Sequence, residues 1–268
     1  MTKSAPTRNS KRFALGLATL TCAATLATVV SANHRAASVS GSPELPRLML
    51  WAWERPEDIR AINPQAAGVA FLARTLYLSA DSVGVRPRFQ PLRVATATAL
   101  VAVVRIDTTQ AKPPTYSTQQ RKATTDAVAE AAQIPGLRGV QIDFDARASE
   151  RQFYRALLLD LRKRINPNIS LSITAAASWC IGDDWLEGLP IDDAVPMLFR
   201  MGVDQRNIGI YLGEGRDFRA SACRESLGLS TDESRTALPK GRRIWMFSPR
   251  AWDAKSIATA EKEAEKWQ

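Results

Sequence analysis

Histidine is almost missing from this 268-residue sequence. The single copy, His34, lies within the first 45 residues, so the rest of the chain has no imidazole. Ser-His-Asp and Cys-His catalysis and His-ligated zinc or iron sites are therefore excluded from residues 46–268. Walker-type phosphate loops and a Gly-x-Gly-x-x-Gly turn after a strand are absent as well. Any catalysis must use carboxylates, Arg, Lys, Tyr or hydroxyl groups, and we expect neither a cofactor nor a metal.

Cysteine is also scarce. One of the three copies, Cys22, lies in the N-terminal segment, which leaves Cys180 and Cys223. In an oxidising compartment such a pair is a disulfide candidate. Two separate buried thiols are the alternative, because the sequence does not give the Cα separation that a disulfide requires.

The first 45 residues have the layout of an export signal. Four basic residues precede an apolar stretch over 13–32, and a segment rich in Ser and Ala follows. This pattern predicts a secretory signal with a flexible linker. An uncleaved anchor is the alternative, since 20 residues are long enough to span a bilayer. We expect a periplasmic or extracellular protein, held to the inner membrane only through 13–32 if the leader is retained.

The charge balance argues against a nucleic-acid partner. Residues 1–45 hold five basic residues and one acid, a net charge of +4, which leaves +5 of the total +9 for residues 46–268. These charges are spread along the chain, and no Lys/Arg cluster is interleaved with aromatic residues. No Pro/Gly/Ser-rich linker divides 46–268, so we expect one domain with a large core, and a monomer.

Short apolar runs alternate with polar turns and helical patterns through the whole of this domain. Eight runs are predicted as strands: Arg47–Trp53, Gly68–Leu72, Leu100–Ile106, Gly139–Phe144, Ser170–Ala176, Asp193–Phe199, Glu225–Leu229 and Arg243–Phe247. Strands alternating with helices indicate an α/β fold, a single (β/α)8 TIM-type barrel. A doubly wound open sheet is the alternative, and the missing phosphate-loop glycines weigh against it.

Helices with N-terminal caps are predicted over 121–133, 153–165 and 254–267. Their caps are Ser117 with Gln120, Ser149 with Gln152, and Asp253. Weaker helical patterns cover 57–62, 183–189 and 216–222, whereas 77–98 shows no clean helix.

Polar and aromatic residues follow the ends of the predicted strands. In a parallel barrel these ends share one face, where the active site is built. The candidates for substrate contacts include Trp53, Glu54, Arg74, Arg105, Trp179, Arg200 and Asp232. The tryptophans offer flat apolar surfaces to sugar rings. The alternative for any of them is core or rim packing, and for the arginines it is neutralisation of nearby acids.

The fourth predicted strand carries the strongest signal. Because side chains alternate along a strand, Gln141, Asp143 and Asp145 share one face, opposite an apolar one. Two carboxylates placed this way cost free energy unless charges or hydrogen bonds compensate. Such a cost is typical of a catalytic pair. A structural acid pair held by arginines is the alternative.

This strand resembles the Asp-Gly-x-Asp-x-Asp-x-Glu strand of the family 18 glycoside hydrolases. Gln141 takes the place of the middle Asp, Asp143 that of the last Asp, and Asp145 that of the catalytic Glu. Met197-Leu198-Phe199-Arg200 looks like that family's Met-x-Tyr-Asp strand. The eighth strand, with Trp245 and Phe247, looks like its substrate-floor tryptophan strand. Nearly all of 46–268 resembles a bacterial family of unknown function with a glycosidase-like barrel.

The resemblance implies an exported glycoside hydrolase acting on a polysaccharide or oligosaccharide. Asp145 would be the general acid, and Asp143 its charge partner or the stabiliser of a developing cation, with one of the two protonated to unusually high pH because they repel. Glu54, Asp232 or Glu233 would be an alternative second carboxylate. Gln141, Met197, Phe199 and Trp245 join the expected substrate contacts. The first alternative is a carbohydrate-binding protein without catalysis. The second is a metal-dependent hydrolase that uses Asp143, Asp145 and Asp232 with Mg²⁺ or Ca²⁺.

Overall fold

The eight predicted strands all form, and they close into a barrel. A computed structural model describes residues 44–233 and 237–267. Its strands, in chain order, are β1 (Leu48–Ala52), β2 (Glu57–Ile59), β3 (Ala67–Ser79), β4 (Ser82–Pro87), β5 (Leu92–Val94), β6 (Leu100–Thr108), β7 (Leu137–Asp143), β8 (Ser170–Ala176), β9 (Asp193–Met197), β10 (Ser226–Ser230) and β11 (Arg243–Phe247). The predicted leader, including the stretch over 13–32, lies outside the described residues except for its last two.

Parallel pairing around the barrel runs in the order β1, β11, β10, β9, β8, β7, β6, β3, and β3 pairs with β1 to close the ring. The α/β barrel predicted from the sequence is therefore confirmed. No helix in the described ranges is long and apolar enough to cross a bilayer.

Five helices follow the strands: α1 (Thr118–Ala131), α2 (Arg151–Arg164), α3 (Ala177–Gly182), α4 (Gln205–Gly213) and α5 (Ala254–Glu265). The three capped helices are confirmed within a few residues. Ser117 accepts a hydrogen bond from the Gln120 amide, and Asp253 accepts one from the Ser256 amide. The Ser149 cap is wrong, because α2 is preceded by a 3₁₀ turn in which the Glu150 carboxylate accepts from the Arg147 amide.

The weaker helix predictions are wrong. Residues 57–62 contain β2, which pairs with β5, while 183–189 form turns and 216–222 form bends that lead into a 3₁₀ turn. The stretch without a clean helix, 77–98, holds the end of β3 and the antiparallel strand β4. Here a hairpin replaces the helix that would ordinarily join β3 to β6.

Two apolar cores lie on either side of the strands. One fills the barrel lumen and includes Met49, Trp51, Val103, Val195 and Trp245. The other lies between the barrel and its helices. Alternation along each strand sends successive side chains to these two cores. Gly228 is required by the lumen packing, since a Cβ there would lie 3.2 Å from the Trp51 ring and 3.1 Å from a backbone carbonyl.

A buried carboxyl lies at the bottom of the lumen, where the strands begin. Asp193 accepts a hydrogen bond from Ser226 Oγ, which in turn accepts one from Trp245 Nε1 at 3.1 Å. Arg243 Nη1 is 3.9 Å away, and Asp193 Oδ1 has no hydrogen-bond partner among the described residues. Burial raises the pKa of Asp193 to about 7. Asp193 therefore keeps its proton to unusually high pH, and the protonated carboxyl is part of the packing at the base of the barrel.

Cys180 and Cys223 form a disulfide in the structure. Cys180 lies in α3 and Cys223 in the 3₁₀ turn before β10, and both are fully buried. The amides of Arg219 and Ala220 donate to the Cys180 carbonyl, so the bridge and two hydrogen bonds hold the same contact. It ties the segment after β8 to the segment before β10.

Removing this disulfide should lower the free energy of unfolding by about 2–4 kcal/mol, because the cross-link restricts the unfolded chain over a separation of 43 residues. Denaturant unfolding of the oxidised protein and of the Cys180→Ala/Cys223→Ala variant measures the loss. Reductant should destabilise the first protein and leave the second unchanged. Equal stability of the two proteins would contradict the prediction.

Candidate active site

A cavity of about 550 Å³ opens at the end of the barrel where the strands finish. It is lined by Trp51, Trp53, Val103, Arg105, Asp143, Asp145, Thr174, Met197, Phe199, Arg200 and Phe247. Polar lining residues come from neighbouring strands, and so do most of the aromatic ones. Strands β6, β7 and β8 supply a polar arc. The segments that follow β1 and β9, together with the end of β11, supply an aromatic arc.

Asp143 is the fixed centre of the polar arc. Its side chain is only 7% exposed. Arg105 Nη1 donates to its Oδ2 at 2.9 Å, and Thr174 Oγ1 donates to its Oδ1 at 2.8 Å. Arg105 also donates to Asp107 at 2.8 Å, which fixes the guanidinium between two carboxylates. Parallel pairing places Arg105 directly beside Asp143, so the strands bring this pair together.

Burial raises the pKa of Asp143 above its ordinary value, and the charge of Asp145 adds to the rise. Arg105 and the Thr174 hydroxyl act in the opposite direction. The sequence predicts that one carboxyl of the pair holds its proton to higher pH. The structure gives that property to Asp143, the buried member, because desolvation is the largest effect.

Asp145 differs from Asp143 in every respect. It lies two residues beyond the last residue of β7, is exposed and lines the cavity. Among the described residues its carboxylate has no hydrogen bond and no ion pair, although it interacts electrostatically with Asp143 and Arg105. A carboxylate in this state is free to act on a molecule in the cavity.

Three rings form the aromatic arc. Phe199 and Phe247 are stacked, with ring centroids 5.4 Å apart and planes 4° from parallel. Trp53 meets Phe247 edge-on at 6.3 Å, and the Arg105 guanidinium lies 5.9 Å from the Trp53 ring. The arc therefore gives the cavity an apolar side that adjoins the polar arc where Trp53 meets Arg105.

Arg200 connects the aromatic arc to the rim. Its φ of 52° lies in the left-handed region, which a non-glycine residue adopts at a cost in free energy. The conformation is held by its backbone N–H, which donates to Glu233 at 3.0 Å. The guanidinium stacks 4.9 Å from the Phe247 ring and lies 3.5 Å from Asp232. These contacts fix the position of Arg200 at the rim of the cavity.

The structure brings together seven of the residues predicted from the sequence. Those that line the cavity are Trp53, Arg105, Asp143, Asp145, Met197, Phe199 and Arg200. Gln141 and Trp245 lie on the same lumen face but below the cavity. Gln141 accepts from Trp51 Nε1 at 2.7 Å and donates to Ser172, and Trp245 is fully buried. Both side chains support the floor of the cavity.

The other four candidates lie away from the cavity. Arg74 points outward and pairs with Glu130 of α1 at 3.0 Å. Trp179 packs against Trp185 in the outer core. Glu54 accepts hydrogen bonds from the Phe89 and Gln90 amides. Asp232 pairs with Arg200 behind the rim. The sequence placed all four at strand ends, but Arg74 lies within β3, which continues to Ser79, and the sequence did not show which face each side chain occupies.

Four lining residues were not among the candidates: Trp51, Val103, Thr174 and Phe247. A signal for three of them was present. Trp51 and Val103 lie two residues before Trp53 and Arg105, so they share the lumen face. Phe247 lies two residues after Trp245 and shares its face in the same way. Thr174 has no such local signal, because its place beside Asp143 depends on pairing between distant strands.

The structure does not group the ligands that the metal-dependent alternative requires. Within residues 44–233 and 237–267 no three or more His, Cys, Asp or Glu side chains are grouped so that they can hold a metal ion. Asp232, which that alternative combined with Asp143 and Asp145, lies outside the cavity lining.

Arg105→Gln should destabilise the protein by about 1–3 kcal/mol at pH 8, because the buried Asp143 carboxylate loses its charged partner. The loss should shrink at pH 4, because burial raises the pKa of Asp143 and a protonated Asp143 needs less counter-charge. Urea unfolding at both pH values tests this. Arg200→Gln is the control: its ion pair with Asp232 is exposed, and we expect little change. A pH-independent loss in Arg105→Gln would contradict the prediction.

Comparison with known families supports the resemblance seen in the sequence. A family model described as a domain of unknown function, DUF3142, matches residues 96–195. The matched segment contains β6, β7 and β8 and therefore Arg105, Asp143 and Thr174. The predicted similarity to a family of unknown function is thereby confirmed. No curated protein sequence matches the chain.

Two solved structures are similar to this chain. The chitinase domain of the spore coat protein CotE from Clostridium difficile is 15% identical, with a TM-score of 0.38; the match covers 58% of this chain and 51% of that one. The spore cortex-lytic enzyme SleL from Bacillus cereus is 16% identical, with a TM-score of 0.43; the match covers 82% of this chain and 59% of that one. This chain thus spans about half to three fifths of those two chains.

Proposed function

We propose that this protein is a glycoside hydrolase that cleaves a polysaccharide by carboxylate acid/base chemistry. The observation that carries the proposal is the contrast between two neighbouring acids in one cavity. Asp145 is exposed and unpaired among the described residues, whereas Asp143 is buried, doubly hydrogen-bonded and raised in pKa. Paired carboxyl groups in different environments are what glycoside hydrolysis uses.

In the proposed reaction a protonated Asp145 gives its proton to the glycosidic oxygen as the bond from that oxygen to the anomeric carbon breaks. Water then adds to the anomeric carbon and returns a proton to Asp145. Loss of the proton leaves a negative charge on Asp145. Asp143, held by Arg105 and Thr174, interacts with that charge. When Asp143 is protonated, Asp145 can ionise without a second adjacent negative charge. Asp143 therefore assists the ionisation of Asp145 without itself contacting the glycosidic oxygen.

The aromatic arc supports a sugar as the substrate. A pyranose ring has an apolar face of C–H groups and a rim of hydroxyl groups. The rings of Trp53 and Phe247 match the first, and the polar arc around Asp143 matches the second. A substrate lying between the two arcs would present its glycosidic oxygen toward Asp145.

The test is turnover of a panel of soluble oligosaccharides, read as new reducing ends. The first series is β-1,4-linked N-acetylglucosamine, chosen because the β7 sequence resembles family 18. Series built from glucose, xylose and galactosamine follow. Release of reducing ends by the unaltered protein supports the proposal. Binding by calorimetry in one series, with no turnover in any, would contradict catalysis and leave the second candidate below.

A second candidate is a carbohydrate-binding protein without catalysis, and one observation favours it. Phe199 occupies the place where the resembling strand has a Tyr, and its ring is stacked on Phe247. The aromatic arc therefore offers no hydroxyl group to the reacting sugar from this position. A catalytic site that needs such a group would be inactive while it still binds the sugar.

We also propose that the protein is exported. The disulfide between Cys180 and Cys223 supports this location, since oxidising compartments preserve such bonds. Mass spectrometry of the protein made with its native N-terminus measures both features. The expected result is an N-terminus beyond residue 32 and no free thiol at either cysteine. Recovery of the full-length reduced chain would contradict export through a cleaved signal.

A further inference from the structure

The hairpin formed by β3 and β4 stands above the rim of the barrel on one side of the cavity. Pairing between β6 and β7 ends at Arg105 and Asp143, whereas β6 continues to pair with β3 as far as Thr108. Three further residues of β6 correspond to roughly 10 Å of strand. The hairpin therefore forms a wall beside the mouth.

The inner face of this wall is continuous with the cavity. Strand register places Thr75 beside Arg105, which lines the cavity, and Tyr77 beside Asp107, two residues higher. On β4, Arg86 lies beside Thr75 and Gly84 beside Tyr77. Residues paired across strands share a face, so Thr75, Tyr77, Gly84 and Arg86 lie on one face. Thr75 is buried at its base, and the other three are exposed. We refer to these four residues as the hairpin platform.

Tyr77 is the central feature of the hairpin platform. It is 41% exposed, which is unusual for a large ring on a strand with a buried outer face. Its neighbour across the strand is Gly84, which has no side chain to cover the ring. A Cβ at Gly84 would lie 3.7 Å from the Tyr77 Cβ, an ordinary contact, so packing does not require glycine at this position.

The platform is held rigidly from behind. Leu76 and Leu78 lie on the outer face of β3 and are buried against the outer core. Gln120 of α1 donates to the carbonyls of Ala80 and Ser82 at the hairpin tip, at 3.1 and 2.9 Å. A ring on such a support binds without loss of backbone freedom, which favours its use as a binding surface.

We propose that the hairpin platform binds sugar units that extend beyond the cavity, with Tyr77 as the stacking surface. The occupant is the continuation of the same polysaccharide chain, because the platform joins the cavity wall through Arg105 and Asp107. This inference rests on the proposed function and deepens it, since it locates the surface that binds the sugar units of the polysaccharide outside the cavity. Affinity should therefore grow with chain length.

The experiment compares the dimer and the hexamer of β-1,4-linked N-acetylglucosamine by calorimetry, in an Asp145→Asn background that does not consume them. Tyr77→Ala should weaken hexamer binding by about fivefold or more and leave dimer binding unchanged. Tyr77→Phe should retain hexamer binding, because the ring remains. Gly84→Thr should weaken it as Tyr77→Ala does, since a β-branched side chain suits the strand and covers the ring.

Val85→Ala is the matched control. Val85 lies next to Gly84 on β4 and is 49% exposed, but its side chain lies on the face opposite the hairpin platform. It should change binding at neither length. Hexamer binding that is equal with and without the Tyr77 ring, or an equal loss at both lengths, would overturn the inference alone. Absence of binding at both lengths with an intact hairpin would overturn the proposed substrate and this inference together.

Discussion

Asp145→Asn should reduce hydrolysis by roughly 10²–10⁴-fold and leave the fold intact. The amide has the size of the carboxyl but cannot transfer a proton to the glycosidic oxygen. Because Asp145 is exposed and has no hydrogen bond or ion pair within 44–233 and 237–267, no partner should be left unsatisfied by the change. Turnover should fall while affinity for the substrate stays within a few-fold.

The matched control is Asp232→Asn, another acid close to the mouth. Asp232 accepts from Ser230 and pairs with Arg200, but it does not line the cavity. It should retain most of the activity. Full turnover in Asp145→Asn, or equal losses in the two variants, would remove Asp145 from the role of proton donor and leave the carbohydrate-binding alternative.

Asp193→Asn should change how stability depends on pH. Its folded-state pKa is raised to about 7 from an ordinary value of 3.8. Between these values the native protein holds a proton that the unfolded chain has released, so the free energy of unfolding falls as pH rises. This contribution is fully present below about pH 4 and is lost by about pH 8. Three pKa units correspond to a change on the order of 4 kcal/mol.

Urea unfolding of the two proteins from pH 4 to pH 8 measures this dependence. The difference in unfolding free energy between the unaltered protein and Asp193→Asn removes the effects of all other carboxyls. As pH rises, the unaltered protein should lose stability relative to Asp193→Asn. Asp184→Asn, an exposed acid with a side chain 73% accessible, should give a curve parallel to the unaltered protein. Parallel curves for Asp193→Asn would contradict the prediction.

The barrel was predictable because its signals are local. Each of the eight strands is a short apolar run bounded by polar turns. Two of the confirmed helices, α2 and α5, have a periodic apolar stripe, and α1 has a capping residue at its start. The failures have a physical reason as well. Residues 57–62 have a helical pattern, yet β2 forms there because it pairs with β5, more than thirty residues away. Short segments take the structure that tertiary pairing favours, whatever their weak intrinsic preference.

The candidate site was predictable only in part. Alternation along β7 identified Asp143 and Asp145, and strand ends identified Arg105 and Trp53. Arg74 was placed among them because the sequence does not reveal the irregularity in β3 between Leu72 and Arg74, after which the side chains change faces. That irregularity turns Arg74 outward to α1 and Tyr77 inward to the hairpin platform.

By itself the sequence determined the barrel class, the absence of imidazole chemistry from residues 46–268, and the two carboxylates near the end of β7. Periodicity and composition are properties of neighbouring residues, so no fold is needed to see them. The tertiary structure alone decided that Asp143 is buried between Arg105 and Thr174 while Asp145 is exposed in the cavity. Burial and charge around a carboxyl are supplied by other strands, and only their closure into a barrel makes two acids of one strand chemically different.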